Sequence, residues 1–408
     1  MRLLFTDDTF TQHGQPFVGI PFLLDQHMEL VEVANDYLMY LALERGRTRS
    51  PKTWRNHGEA LYDYFSWLEA NELEWSHVPG AGHAKTGISN LASYRNWSIS
   101  LVDPATGIRA IKPSTINQRL TCLMGFYQWA QKRGHVPAVP WDASPKFVAG
   151  NSQGFMRHAH SAKRTEGDDL RLKVFREPPK LLSLDQSKLL IQACSTKTLR
   201  MMTVLMLQTG LRNEECRTFP RKYVFDPTGL DVRKRIRIDL NPADMLLKNS
   251  KPRTVFVGWH IMRELFDFLS YGEGALRAKM KRLDMPGNAL PAFLNVQGQP
   301  FSEKGLNNAY RRLWAGKCPT LPFRVTPHML RHTFATFELL HQSQRMPMGQ
   351  ALAWVRDRLG HSSIQTTSIY LHCIDLMESS ELNAYQEELD MLGSSNGAYS
   401  GERDRSFR

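Results

Sequence analysis

Apolar positions in this chain follow a helical rhythm over most of its length and a strand rhythm in one short stretch. Residues 1–26 show no clear period and read as an N-terminal arm or a short preface to the first domain. From about His27 to Arg45, Leu30, Ala34, Tyr37, Leu38 and Leu41 fall at helical spacing. Ser50-Pro51 opens a second helix with Trp54, Leu61, Phe65 and Leu68 on one side, and a third is expected around Leu91–Val102. A fourth has Ser114 as its cap, Gly134 as its stop, and a seam of Ile116, Leu120, Leu123, Tyr127 and Ala130. Four amphipathic helices without strands predict a small helical domain over residues 27–142.

The period fails across 143–179. Gly150, Asn151, Ser152 and Gly154 lead into the basic run R-H-A-H-S-A-K-R and then R-E-P-P, the composition of a linker. His158 and His160 lie within it; without a third convergent ligand they point only weakly to a metal, and a solvated or phosphate-touching linker is the expectation.

Periodicity resumes at a capping box, Ser183 to Gln186, ahead of Leu189, Leu190 and Ala193. A largely apolar helix from Leu199 to Gln208 ends at T-G-L-R-N-E-E. Three strands are then predicted, Arg235–Leu240, Ala243–Lys248 and Arg253–Val257, with Lys248 to Arg253 as a hairpin turn. Helices follow around His260–Leu269 and Ser302–Trp314. Thr326-Pro327 starts another, a hydroxyl to cap and a proline at the first helical position. Leu359-Gly360 ends one. Ser380 caps a last short helix, 380–393, with Leu382, Tyr385, Leu389 and Leu392 as its seam, and 394–408 reads as disordered.

Charge narrows the class of partner. The 408 residues carry 52 Lys and Arg against 40 Asp and Glu, a formal net charge of +12, with a pI near 9.5. That favours a polyanion, although it fits ribosomal, RNA-binding or anionic-membrane proteins equally. No apolar run is long enough to span a bilayer, and M-R-L-L-F-T-D-D lacks a signal-peptide core. The five cysteines, Cys122, Cys194, Cys216, Cys318 and Cys373, include no C-x-x-C pair and read as reduced thiols in or near cores. A cytoplasmic, nucleoid-associated protein without a membrane partner is expected.

The candidate chemistry gathers late in the chain. His328 and Arg331 lie three apart on the helix after Thr326 and share a face. His361 follows Gly360, and Tyr370 comes nine residues later. Arg212 sits just past an apolar helix, where a guanidinium is costly unless paired, and Glu215 is its nearest candidate partner. Lys248 occupies a turn that could deliver an ammonium group. Two histidines, arginines and a tyrosine suit a phosphate under nucleophilic attack: cations stabilise the charged transition state and the phenol attacks. A zinc reading of His328 and His332, four apart, lacks the intervening glutamate and a third ligand. His332 is expected to pack or hydrogen-bond within the domain.

With Arg212, Lys248, His328, Arg331, His361 and Tyr370 in that order, the chain resembles the tyrosine recombinase, or phage integrase, family. T-G-L-R-x-x-E, K-x-x-K-x-R, H-x-L-R-H-T-F-A-T and L-G-H followed by T-x-x-Y-x-H carry the resemblance, across roughly 180–375. It implies a mainly α fold with a small antiparallel β-sheet in a catalytic domain (180–379), preceded by a helical, SAM-like core-binding domain. It further implies that Arg212 and Arg331 grip the scissile phosphate and Tyr370 forms a 3′-phosphotyrosyl bond. Lys248 would protonate the leaving 5′ oxygen, His328 would manage the phenolic proton and His361 would bond a phosphate oxygen. Glu215 would support the site, and no metal or cofactor is called for.

The implied substrate is double-stranded DNA, cleaved and rejoined in integration, excision or related recombination. A homotetramer on paired sites is implied, with room for accessory DNA-bending or directionality proteins. The resemblance would dock the 380–393 helix on a neighbouring protomer, while its apolar seam alone fits folding back onto its own domain equally well. Arg49, Lys52, Arg55, Lys112, Arg119, Lys132, Arg133, Lys251 and Arg253 are the expected DNA contacts. Two rivals share parts of the pattern. A type IB topoisomerase or telomere resolvase would use the same residues, and a DNA-binding regulator would keep the fold without the chemistry. Two stretches depart from the family: the linker is long, and His341–Gly349 reads as an enlarged loop.

Overall fold

A computed structural model of the chain describes residues 1–46, 50–78, 88–147, 164–174, 177–280 and 290–374; the side chains of 143–147, 164–168 and His372 lie outside that description. Arg49, His158, His160, the 380–393 helix and the 394–408 tail are therefore outside the described residues. The chain divides into two compact units, Met1–Arg176 and Glu177–Arg408.

In the first unit, β1 (Arg2–Phe5) pairs antiparallel with β4 (Pro21–Leu24), and β2 (Thr11–Gln12) pairs with β3 (Gln15–Pro16) between them. The opening residues are thus no free arm. Ile20, Leu23 and Leu24 are buried, and Pro21 lies against Gly58 of the long helix described next. A period-2 signal was lost there because each strand is only two to four residues long.

The helices are α1 (Glu32–Met39), continued by a π-helical turn Tyr40–Glu44, α2 (Pro51–Ala70), α3 (Asn90–Ser100) and α4 (Pro113–Lys132). Leu30 precedes α1 and is exposed, so it is not part of the seam expected for it. Pro113 takes the first helical position of α4 after Lys112, which places Ser114 inside the first turn rather than at the cap. The rest of the α4 seam is buried as its spacing requires. Rings dominate this core: the Tyr64 and Tyr127 hydroxyls lie 2.7 Å apart, and Tyr127 Oη donates to the Trp75 carbonyl at 2.9 Å. Past α4, β5 (Ala143–Phe147) pairs with β6 (Arg164–Asp168), so part of the expected linker is a strand pair, and Leu170 joins the core. The helical unit without strands is corrected accordingly.

The second unit is built around α6. It starts with α5 (Leu184–Ala193), whose Ser183–Gln186 capping box is fully formed, and α6 (Lys197–Thr209), buried along nearly its whole length. α7 (Asn213–Arg217) follows. β7 (Ile236–Leu240) pairs antiparallel with β8 (Arg253–Val257), Ile238 opposite Val255, and both strands bury alternate residues. The predicted middle strand, Ala243–Lys248, does not form. Met245 and Leu247 are buried and Leu246 is exposed, which gives a strand's alternation to a segment with no ladder partner among the described residues. α8 (Trp259–Ser270), α9 (Glu273–Lys279) and α10 (Gly305–Ala315) complete the surround of α6.

α11 (Pro327–Ser343) packs along α6, and α12 (Met348–Leu359) packs on α11. His341–Gly349 therefore does not enlarge a loop. It lengthens both helices and leaves only residues 344–347 between them, with Pro347 as the N-cap of α12. The described chain ends with α13 (Ile364–Thr367), a 3₁₀ turn Ser368–Tyr370, and α14 (Leu371–Ile374). All five cysteines are free, and Cys318 is exposed, away from the cores expected to hold it. Among the described residues no helix is long and apolar enough to cross a membrane.

A Cβ built on Gly58 would stand 2.4 Å from Pro21 Cβ, and neither the proline ring nor the helix can give way easily. Gly58→Ala should therefore destabilise the first unit by about 1–3 kcal/mol, the usual scale of overpacking. Denaturant unfolding reads this as a lower midpoint; an unchanged midpoint would mean that β4 does not press on α2.

Candidate active site

The site forms where α6 ends. Thr209 is the last residue of α6, and Gly210 adopts φ +63°, a left-handed conformation that a side chain would strain. The chain then turns so that Arg212 caps α7. Glu215, one turn into α7, is 1 % exposed, and its carboxylate reaches back to Arg212 twice. Arg212 N donates to Oε2 at 2.7 Å and Arg212 Nη1 to Oε1 at 2.9 Å. Arg212 itself is half-buried, and its Nε and Nη2 make no further bond among the described residues.

The other side of Glu215 is taken by Arg253. Its Nη1 donates to Oε1 at 2.9 Å and its Nη2 to Oε2 at 2.6 Å, a bidentate pair, while Nε donates to the Arg358 carbonyl at 2.9 Å. Arg253 was expected on DNA. The structure instead buries it at the start of β8, because its partner carboxylate is internal and Gly360 leaves room for its stem. Burial alone would raise the Glu215 carboxyl. The bonds and charge of Arg253, then Arg212 and Arg331, outweigh it and bring the pKa down to about 2.

Arg331 lies one turn into α11, whose first turn is capped by Thr326. It is 1 % exposed and donates to the carbonyls of Gly210 at 2.6 Å and Leu359 at 2.7 Å, the residues that end α6 and α12. No carboxylate pairs with it among the described residues. Burial, then the nearby Arg212, lowers its pKa to about 9. A buried cation satisfied only by carbonyls favours an arriving anion.

Gly360, also at φ +63°, turns the chain after α12 and sets His361 against this cluster. His361 Nδ1 lies 3.0 Å from Thr367 Oγ1. Burial, then Arg331 and Arg212, pushes its pKa down to about 3, so the imidazole is neutral and can donate from Nε2 when Nδ1 accepts. Tyr370, 1 % exposed, stacks on His361 at 6.4 Å and 15°. Its pKa is pushed up to about 12, by burial against the opposing pull of Arg331.

The hydroxyl of Tyr370 does not meet His328. It lies 3.0 Å from Nδ1 of His332, the residue expected to pack or hydrogen-bond within the domain. His328 keeps an exposed edge on the first turn, its ring 4.2 Å from that of His332; partial loss of water on its inner side, then the charges of Arg331, Arg212 and Lys248, lower its pKa. Lys248 is exposed in a 3₁₀ turn whose next residues, Asn249 and Ser250, both have positive φ. Lys251 is exposed beside it. The spacing of four from His328 to His332 was visible in the sequence, but only the return of Tyr370 onto α11 gives it meaning. Among the described residues no three His, Cys, Asp or Glu gather where a metal could sit.

The remaining expected DNA contacts lie in the first unit. Lys52, Arg55, Lys112 and Lys132 are exposed, with Arg55 4.8 Å above the Phe5 ring. Arg119 pairs with Asp63 at 2.7 Å and Arg133 with Glu44 at 2.9 Å.

Residues 180–376 match the model of the phage integrase family. Transposase A from transposon Tn554 of Staphylococcus aureus is 25% identical over 372 residues, covering 90% of this chain and 94% of that protein. The tyrosine recombinase XerC of Halalkalibacterium halodurans is 24% identical over 351 residues, 84% of this chain and 94% of its own. Among solved structures, the Tn1549 transposon integrase in complex with a circular intermediate DNA superposes with a TM-score of 0.53 at 15% identity, over 88% of this chain and 98% of that one.

Glu215→Gln should cost the second unit about 3–5 kcal/mol, because it leaves two guanidinium groups short of the one carboxylate they meet among the described residues. The sign with pH follows from the lowered pKa: the contribution is complete above about 4.5 and is lost as pH falls toward about 2. Unfolding titrations of the two proteins should converge across that window; a constant gap would place the stabilisation elsewhere.

Proposed function

We propose that this chain, which belongs through residues 180–376 to the phage integrase family, is a site-specific tyrosine recombinase that cleaves and rejoins duplex DNA through a 3′-phosphotyrosyl intermediate. The observation that carries the reading is the gathering of Tyr370 and His361 near the buried Arg331 and near Arg212, which Glu215 holds.

Arg331 and Arg212 neutralise the phosphate and stabilise its pentavalent transition state. His361, neutral and anchored by Thr367, donates to a non-bridging oxygen. Tyr370 attacks phosphorus, and Lys248 protonates the leaving 5′ oxygen as general acid. Glu215 holds Arg212 without touching the substrate. Because the tyrosyl ester keeps the energy of the broken bond, rejoining needs no nucleotide cofactor.

Double-stranded DNA is the substrate. The first unit binds it through Lys52, Arg55, Lys112, Lys132 and the ion-paired Arg119 and Arg133, with Lys251 adding a contact beside Lys248. One tyrosine cleaves one strand, and exchange between two duplexes cuts four. A tetramer on paired sites follows from that count.

Tyr370→Phe should abolish the covalent protein–DNA adduct while leaving duplex binding nearly unchanged, since only the nucleophilic oxygen is removed. An adduct that survives denaturation with this variant would move the nucleophile elsewhere, and relaxation of supercoiled DNA without a preferred site would favour a topoisomerase. Lys248→Ala should slow cleavage by about 10²–10⁴-fold. A 5′-bridging sulfur needs little leaving-group protonation and should recover most of that loss; equal defects on both substrates would transfer the role to Lys251.

A further inference from the structure

We propose that His332, rather than His328, takes the phenolic proton of Tyr370 as the tyrosine attacks. The inference rests on the recombinase reading and sharpens it.

Geometry leaves one histidine for the task. His332 Nδ1 stands 3.0 Å from Tyr370 Oη, with the rings 5.6 Å apart and inclined at 57°, so an in-plane nitrogen lone pair can point at the hydroxyl. His361 is nearly parallel to the tyrosine ring, and its Nδ1 is engaged by Thr367. His328 reaches the phenol through no hydrogen bond among the described residues, and meets His332 edge to face. On α11, His328, Arg331 and His332 fall at i, i+3 and i+4, so one helix carries both a phosphate-binding cation and the proton acceptor.

Charge state agrees with that role. Burial, then His328 and Arg331 on the same helix, lowers the pKa of His332 to about 4, which leaves the imidazole neutral, and its Nε2–H tautomer accepts the Tyr370 hydroxyl at Nδ1. Tyr370 and His361 are the titratable groups facing it from the segment after α12. The phenol, near 12, is far too weak an acid to ionise first onto such a base. Transfer is therefore coupled to attack: as Oη bonds to phosphorus, its O–H bond breaks and the proton passes to Nδ1. The P–O5′ bond breaks in the same displacement, and the leaving oxygen takes its proton from Lys248. An arriving phosphate anion makes the imidazolium cheaper to form. Rejoining reverses each transfer, with His332 returning the proton to the phenolic oxygen.

The test uses the full chain and a nicked duplex bearing its mapped strand-exchange site, with single-turnover adduct formation followed from about pH 6 to 9. Asn at 332 keeps an acceptor near the Nδ1 position but cannot carry the proton. His332→Asn should be slowed by about 10²–10⁴-fold at neutral pH, and its rate should climb with pH where that of the unmutated chain is flat. Fluorotyrosine at 370, a stronger acid, should restore most of the loss in the variant. In the unmutated chain the same series should change the rate little, an arm that needs no folding of any position-332 variant. A rate in the unmutated chain that rises in step with phenol acidity overturns the proposal. So does a His332→Asn protein with unchanged rate and pH profile, or one whose defect neither pH nor fluorotyrosine moves. Failure of the recombinase reading looks different: the unmutated chain forms no adduct, or Tyr370→Phe still forms one.

Discussion

Everything at the site depends on one buried carboxylate. Glu215 binds Arg212 through its side chain and backbone and binds Arg253 through both oxygens. It thereby ties the turn after α6 to the start of β8. Arg253 extends the tie to the end of α12 through the Arg358 carbonyl, and Arg331 closes it by bonding the last carbonyls around α6 and α12. Two guanidinium groups share that carboxylate, and a third, Arg331, stands near them on carbonyl partners. Burying ions costs several kcal/mol each, so such a cluster persists only when its hydrogen bonds are nearly all made. Here Arg212 keeps donors unused, and Arg331 keeps charge uncompensated. The fold thus holds a surplus of positive charge where a phosphate would supply the missing negative one.

The same surplus bears on Tyr370, the proposed nucleophile. Arg331 and Arg212 pull the Tyr370 pKa down, but burial wins and the phenol stays protonated. Once a phosphate neutralises the arginines, their pull weakens further. The attacking oxygen then needs a proton acceptor of its own, and the neutral imidazole at hydrogen-bond distance is His332. As the proposed base, an imidazole that is itself weak would keep the tyrosine inert until a substrate arrives.

Much of the arrangement was legible in the residues. The caps at Ser183 and Thr326, the left-handed stop at Gly360, the α4 seam and the Arg212–Glu215 pair are local: each needs neighbours no more than four residues away, and short-range geometry enforces them. What failed was decided over distance. Arg253 reads as a surface cation by composition, and only an internal carboxylate 38 positions earlier in sequence explains its burial. Ala243–Lys248 alternates like a strand, yet β7 takes β8 as its partner and leaves that segment unpaired. The strands of residues 1–24 are too short to show a period, and the outer pair joins positions as far apart as Arg2 and Leu24.

The sequence by itself determined the helical character of both units, the order of the chemical groups and the ends of the key helices, because hydrophobic period and capping act within a few residues. The tertiary structure alone decided which cation is internal, how Glu215 divides its two oxygens, and which histidine meets the tyrosine. His328 and His332 lie on one helix, one turn apart, and nothing local separates their roles. The path of the chain from Gly360 back to Tyr370 places the phenol beside the second, since a hydrogen bond is made only where two distant segments come within about 3 Å.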